Sequence, residues 1–316
     1  MRAAIAGRYG GPHTIRIDEV ADPAPRPGEV VVRVRATPVT AGDARIRGGR
    51  FPRGFGSLAR LGLGLRGPRR PILGIVFSGI VERIGAGASG VLVGDEVTGM
   101  TGARMGTHAE LLAVDAARIV PKPAGVDHAD AAAALFGGTT ALHFLRDRAG
   151  LRPGQHLLVN GASGSVGSAA VQLARHLGAR VTAVTSERNL ELVARLGADE
   201  VVDYGRQPVA DLPGGYDAVF DAVGNLDRGS GSRLLAPGGA LILAVAGLAD
   251  TIGARGRVYA GSAPERPADF AQLLELVERG EFDPLTRRLD GLESIAEAHA
   301  VVDSGRKVGN LVVLPA

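Results

Sequence analysis

Cysteine is absent from this 316-residue chain. Its absence excludes disulfides, thiolate nucleophiles and cysteine-ligated zinc. Tryptophan is missing too, and aromatic residues make up only 4%. Few rings are therefore available to stack on nucleic-acid bases, which argues against a nucleic-acid partner. No stretch approaches the roughly 20 apolar residues of a membrane span. The opening MRAAIAGRYG lacks the apolar core of a secretory signal. The expectation is a cytoplasmic protein with no membrane partner. Lysine is also scarce: Lys122 and Lys307 are the only two among 36 basic residues. The seven histidines form no paired ligand spacing, so no metal site is expected.

Hydrophobic residues at 45% and charged residues at 22% match a soluble globular protein, and the length allows two domains with their own cores. Charge is uneven. Residues 1–122 carry 18 basic and 10 acidic side chains, and the remainder carries 18 and 23. A basic half attracts phosphates or acidic partners. The plainer alternative is the arginine-rich codon usage of a GC-rich genome.

The first 120 or so residues read as β-rich. Glu29–Ala36 and Ile75–Ile84 are β-branched runs bounded by Gly and Pro. Alternation of Val30, Val32 and Val34 with Val31, Arg33 and Arg35 suits a half-buried strand. After Pro121-Lys122-Pro123 the pattern alternates between strand and helix. Strands are expected at His156–Asn160, Arg180–Thr185, Asp217–Asp221 and Ala240–Val245, with helices at Ser165–Leu177 and Leu190–Leu196. A helix is also expected to begin near Thr139. The order implies βαβ units around a parallel sheet. Two helices, 269–280 and 292–304, flank a further strand, and Asn310–Leu314 closes the chain as a strand.

Leu157–Asn160 runs through Gly161-Ala162-Ser163-Gly164-Ser165-Val166-Gly167 straight into a helix. A small residue at Ala162 permits the tight turn. Gly164 lets backbone approach a pyrophosphate, and Gly167 lets helix and strand pack closely. The helix start then offers free N–H groups to phosphates. A ligand-free tight turn is the alternative, but the strand before and the helix after are the context that a dinucleotide loop requires. The residue after the second strand is Ser186, where NAD sites place an acid. Arg188 follows and suits a 2′-phosphate. Glu187 is either a ribose ligand or a first-turn acid favouring the helix dipole. The balance points to NADP(H).

The glycine loop, the run Ala169–His176, Leu196–Asp199, Asp221–Gly224, and in the N-terminal half Phe77–Gly85, Val93–Val97, Gly106–Glu110 and Gly138–Ala141 resemble the zinc-free quinone oxidoreductase branch, which includes zeta-crystallin, of the medium-chain dehydrogenase/reductase superfamily. The closing SGRKVGNLVVL does so too. The resemblance implies an α/β protein: a GroES-like β-rich catalytic domain at 1–122 completed by 262–316, and a Rossmann doubly wound parallel-sheet domain at 123–261. It implies a cleft between them, a homodimer, and NADPH-driven reduction of quinones or activated enones. By the same resemblance Asn160, Ala162, Ser163, Gly164, Ser165, Val166, Gly167, Ser186, Arg188 and Tyr204 hold the phosphates and adenosine ribose, a core tyrosine being the other reading of Tyr204. Val223, Gly224, Ala244, Val245 and Ala246 face the ribose and nicotinamide, together with Asn310 and Thr139. The other reading of Thr139 is a helix N-cap or first-turn hydroxyl.

Several positions depart from that pattern. Thr40 stands where the branch has Asn, Arg45 and His108 where it has aromatics, Val76 where it has Asp, and Asn310 where it has Lys. Thr40 is the hydroxyl best placed by analogy to donate to a developing carbonyl charge, and His108 is a candidate proton donor or substrate contact. Asp43 reads as a local backbone cap. Gly48–Arg70 holds six arginines and no acid, interleaved with leucines. It is read either as a greeting surface for an anionic, CoA- or carrier-linked substrate or as a solvated loop. Two other functions stay open: an enoyl reductase or cyclisation enzyme of secondary metabolism, and a nucleotide-loaded RNA-binding protein.

Overall fold

The computed structural model describes residues 1–315. Strands β1 (Arg2–Ile5) and β2 (Arg16–Glu19) form an antiparallel pair. A larger sheet is built from β3 (Glu29–Val39), β4 (Val76–Ile84), β5 (Glu96–Met100), β6 (Leu111–Asp115) and β7 (Ile119–Pro121). β8 (His156–Asn160), β9 (Arg180–Thr185), β10 (Glu200–Asp203), β11 (Tyr216–Asp221), β12 (Leu235–Leu243) and β13 (Val258–Ala260) form a separate parallel sheet in the order β10-β9-β8-β11-β12-β13. That is the doubly wound order 3-2-1-4-5-6, which reverses direction beside its first strand and opens a crevice there. β14 (Thr286–Asp290) and β15 (Asn310–Leu314) return the chain to the first sheet, β15 pairing antiparallel with β3.

The helices are α1 (Ala41–Gly48), α2 (Gly56–Leu63), α3 (His128–Leu142), α4 (Ser165–His176), α5 (Leu190–Arg195), α6 (Arg228–Ser232), α7 (Leu248–Ile252), α8 (Pro267–Glu278) and α9 (Ile295–Asp303). β8, β9 and β15 form over the ranges that their apolar, β-branched runs predict. α4 ends at His176, and Gly178 beyond it takes φ 77°, the left-handed conformation that glycine adopts without a Cβ penalty.

Two expectations change. β3 extends to Val39, and Val30, Val31 and Val32 are all fully buried. The strand is therefore covered on both faces rather than one. Arg33 stays partly exposed and pairs across to Glu82 on β4. The helix expected near Thr139 begins eleven residues earlier, at His128, capped by the Asp127 side chain. α3 is alanine- and glycine-rich because it is buried almost all round, between β3 and β4 on one side and α4 and α8 on the other. A Cβ on Gly137 would collide with the Ser165 carbonyl at the start of α4, and one on Gly138 would press on Leu273 of α8. Helices approach this closely only where side chains are absent.

No helix among the described residues is long and apolar enough to cross a membrane.

Candidate active site

A cleft of about 1720 Å³ runs between the two sheets. That exceeds the roughly 300–1,000 Å³ of a site for one drug-sized ligand and leaves room for a dinucleotide and a second molecule. Its floor is the loop between β8 and α4. Gly161 takes φ 85°. A Cβ on Gly167 would strike the Gly161 carbonyl, so helix and loop touch backbone to backbone. Gly164 differs: a Cβ there would meet only the Gly161 oxygen, at 3.6 Å. Nothing inside the protein demands glycine at that position, and its bareness serves the space in front of it.

Gly164 is the N-cap of α4. No side chain caps the helix, and its first turn carries no acid. Its leading N–H groups and the positive end of its dipole face the cleft without an internal anion. Two buried hydroxyls at this place, Ser165 Oγ and Thr185 Oγ1, have no partner among the described residues, and both residues line the cleft. Orphaned buried donors, a bare helix start and a glycine cradle together fit the phosphates of a dinucleotide.

Arg188 lines the cleft, whereas the Glu187 carboxylate turns to Arg206 at 2.7 Å on the surface. The Asn189 amide donates to Ser163 Oγ at 3.0 Å and Ser186 Oγ at 3.1 Å, tying the phosphate loop to the end of β9. Tyr204 is 57% exposed beside them, so it is not a core tyrosine. Arg306 and Lys307 complete this cationic end. Burial pushes the Lys307 ammonium down to about 8.

The turn after β11 is built on one carboxylate. Asp221 is fully buried and accepts from the backbone N–H groups of Val223, Gly224 and Leu226, and from Asn160 Nδ2 at 2.9 Å. It thereby holds Val223, 49% exposed, against the cleft. Asn160, Ser163, Ser165, Val166, Ser186, Val245 and Asn310 line the same space. Asn310 is anchored by its amide to the Pro284 carbonyl at 2.6 Å.

Five expected residues behave differently. Ala162 is fully buried beneath the loop, where its small size serves packing. Ala244 and Ala246 pack against the hydrophobic cores, and Val245 between them meets the cleft. Thr139 is buried in α3 and its hydroxyl donates to the Leu135 carbonyl at 2.7 Å. It sits in mid-helix, where threonine satisfies itself on the preceding turn. His108 lies outside the cleft lining. It is 1% exposed, its Nε2 is 3.3 Å from the Pro38 carbonyl oxygen, and its ring packs edge-on against His299. Burial lowers its pKa, so its surroundings favour a neutral ring away from substrate.

Thr40 does reach the cleft. Its hydroxyl donates to Asp43 Oδ2 at 2.7 Å and accepts from the Asp43 N–H at 3.2 Å. A hydroxyl has one proton, and this one is committed to the capping box of α1. Asp43 also accepts from the Gly74 N–H at 3.1 Å, in keeping with a structural cap. Sequence reasoning passed over Thr185, Asn189, Asp221, Arg306 and Lys307 as ligand-facing or positioning groups. Asp221 carried a signal as the first residue of the DAVG run, and Arg306 and Lys307 lay within the closing SGRKVGNLVVL.

Residues 26–124 match the alcohol dehydrogenase GroES-like domain, and residues 196–313 match a family described as zinc-binding dehydrogenase. The chain is 30% identical over 331 residues to a quinone oxidoreductase of Pseudomonas aeruginosa, covering 97% of each chain. It is 28% identical over 327 residues to the chloroplastic NADPH-dependent alkenal/one oxidoreductase of Arabidopsis thaliana, covering all of this chain and 80% of that protein. The solved quinone oxidoreductase of Coxiella burnetii shares the fold, with a TM-score of 0.89 at 24% identity over 100% of this chain and 99% of that one. The chain belongs to the medium-chain dehydrogenase/reductase superfamily, a GroES-like β-rich domain joined to a Rossmann domain. Its relatives there include quinone oxidoreductases and alkenal reductases. Among the described residues no group of three or more His, Cys, Asp or Glu side chains is placed to hold a metal ion.

Proposed function

We propose that this protein is an NADPH-dependent reductase of quinones or α,β-unsaturated carbonyl compounds that works without zinc. The observation that carries the reading is the division of labour after β9: Arg188 faces the cleft while Glu187 is drawn off to Arg206. A site selecting NAD would present an acid to the ribose 2′-hydroxyl at that point. Here the cleft receives guanidinium and ammonium groups, which suit a 2′-phosphate.

A bound nicotinamide supplies the hydride. The protein's part is to bind, orient and exclude water. The α4 N-terminus with Ser163 and Ser165 holds phosphates, and Asn189 keeps that loop aligned with Ser186. Asp221 fixes the turn that presents Val223. Val245 and Asn310 wall the other side. The metal-free reading is supported by the lack of cysteine and of any clustered ligand set among the described residues. With Thr40 committed to Asp43, its single hydroxyl proton is not free for the reduced product. The acceptor class follows the names of the relatives, and a homodimer follows the family resemblance; light scattering of the purified protein checks the latter.

NADPH and NADH oxidation measured against a panel of quinones, enones and enoyl-CoA thioesters tests the proposal. Turnover of NADPH with quinones or enones is the expected result. A clear preference for NADH would overturn the cofactor assignment, and turnover confined to enoyl thioesters would overturn the acceptor assignment.

A further inference from the structure

α1 carries Arg45 into the cleft beside Thr40, Ala41 and Ala44. The neighbouring arginines of this segment have partners. Arg47 donates to the Gly10 carbonyl and pairs with Asp303, and Arg50 pairs with the same carboxylate. Arg45 has none: among the described residues no carboxylate lies within ion-pair distance, and its guanidinium makes no hydrogen bond. Burial pushes its pKa down with no acid acting in the opposite direction.

A partly buried guanidinium without a counter-ion is costly to the protein alone. Five donors in a fixed planar fork face a space large enough for a second molecule. Arg53, also on the cleft wall and exposed, adds charge of the same sign. The segment 48–70 contributes no acid. Phosphates of the cofactor are already provided for elsewhere on the lining, by α4, Arg188 and Lys307. The cation on α1 is therefore left for the other occupant.

We infer that Arg45 reads an anionic group on the substrate, so that the preferred acceptor is an enone or quinone bearing a carboxylate or phosphate. This rests on the reductase reading above and sharpens it. Arg45 is a specificity-determining residue, pairing bidentately with the substrate's anion and leaving hydride transfer to the cofactor.

The test compares a medium-chain alkenal carrying a terminal carboxylate with the methyl ester of the same molecule, using NADPH and the full-length protein. Wild type is expected to favour the carboxylate in kcat/KM by about tenfold or more, mainly through KM, the size of one charge-assisted pair. Arg45→Met is expected to erase that preference, the acid falling to the efficiency of the ester, and Arg45→Lys to restore part of it. Equal efficiency with acid and ester in wild type would overturn the inference. So would an equal loss of kcat on both substrates in Arg45→Met, which would place the guanidinium on the developing carbonyl charge instead. Turnover of neither substrate would sink the reductase reading alone. In that event glutarate still decides the question: it is expected to protect wild type, and not Arg45→Met, in a thermal-shift titration, and equal behaviour of the two proteins would overturn the inference.

Discussion

Gly309 donates its backbone N–H to the Ser163 carbonyl at 2.9 Å, and Gly309, just before β15, forms an isolated parallel bridge with Gly164, the N-cap of α4. The final segment of the β-rich domain is thus stitched onto the phosphate loop of the parallel-sheet domain. Lys307 and Asn310 reach the cleft because of this contact. The β8–α4 loop and the 305–310 wall of the cleft are consequently one unit, and substitutions on either side should be felt by both.

The two loop glycines should separate folding from binding. Gly167→Ala drives a methyl into the Gly161 carbonyl, and overpacking of this kind costs about 1–3 kcal/mol or more. A fall in melting temperature together with loss of NADPH binding is expected. Gly164→Ala meets only an ordinary contact at 3.6 Å. It should melt close to wild type yet bind NADPH more weakly, because the methyl occupies the approach to the helix N-terminus. Calorimetric melting beside fluorescence titration of NADPH separates the two outcomes.

Arg188→Ala should weaken NADPH far more than NADH. A charge-assisted hydrogen bond to a phosphate contributes about 1.5–3 kcal/mol, roughly one to two orders of magnitude in affinity. NADH lacks the 2′-phosphate and should change only slightly. Dissociation constants for both cofactors, measured at fixed ionic strength, check the ratio. An equal loss for both would move Arg188 to the pyrophosphate.

Lys307 gives the cofactor site a pH dependence. Its ammonium is pushed down to about 8 by burial, so it is charged below that value and neutral above. A charged Lys307 attracts phosphates, so NADPH affinity should be constant at neutral pH and fall as pH rises past 8. The free enzyme's value appears in kcat/KM for NADPH. Lys307→Met should bind NADPH more weakly at pH 7 and lose the alkaline decline. A decline that persists in this variant would assign it to another group.

His299 should be a liability in acid. It is fully buried, neither ring nitrogen has a partner among the described residues, and burial with His108 and Arg47 nearby lowers its pKa to about 2. The unfolded chain takes up a proton on this residue below about 6.5 and the folded chain does not. Stability is therefore lost as pH falls below that point, by about 1.4 kcal/mol per pH unit for this group. His299→Phe keeps the edge-on contact with His108 and gives up no hydrogen bond. It should melt at or above wild type at pH 7 and show a flatter decline toward pH 5. A loss of several degrees at pH 7 would mean that the ring is hydrogen-bonded in solution.

The strand–turn–helix around Gly164 was legible because its signals are local. Apolar β-branched residues make β8, a period of 3.6 makes α4, and glycines stand where backbone must touch backbone. The same holds for β9 and β15. α3 was legible only in part: an alanine-rich helix buried almost all round has no polar face, and its start is marked by the Asp127 cap alone, so Thr139 looked like a start and proved to lie eleven residues inside the helix. His108 and Thr40 were misjudged for a different reason. Their partners, His299 and Asp43, are set by packing and by a cap, and no spacing announces whether a polar atom is already satisfied.

Composition alone ruled out cysteine-ligated zinc and disulfides, and the run from Leu157 to Gly167 alone specified a tight strand–turn–helix, since both rest on atoms that are near in sequence or missing altogether. The company those atoms keep came from the tertiary structure. β15 pairs with β3, which lays residues 305–310 across a loop about 140 positions earlier. That pairing brings Lys307 to the cleft. Asp303 is shared by Arg47 and Arg50, and Arg45 is left without a counter-ion among the described residues. Charges separated so far along the chain interact only through space, so which of them were neutralised could be read only after the fold had placed them.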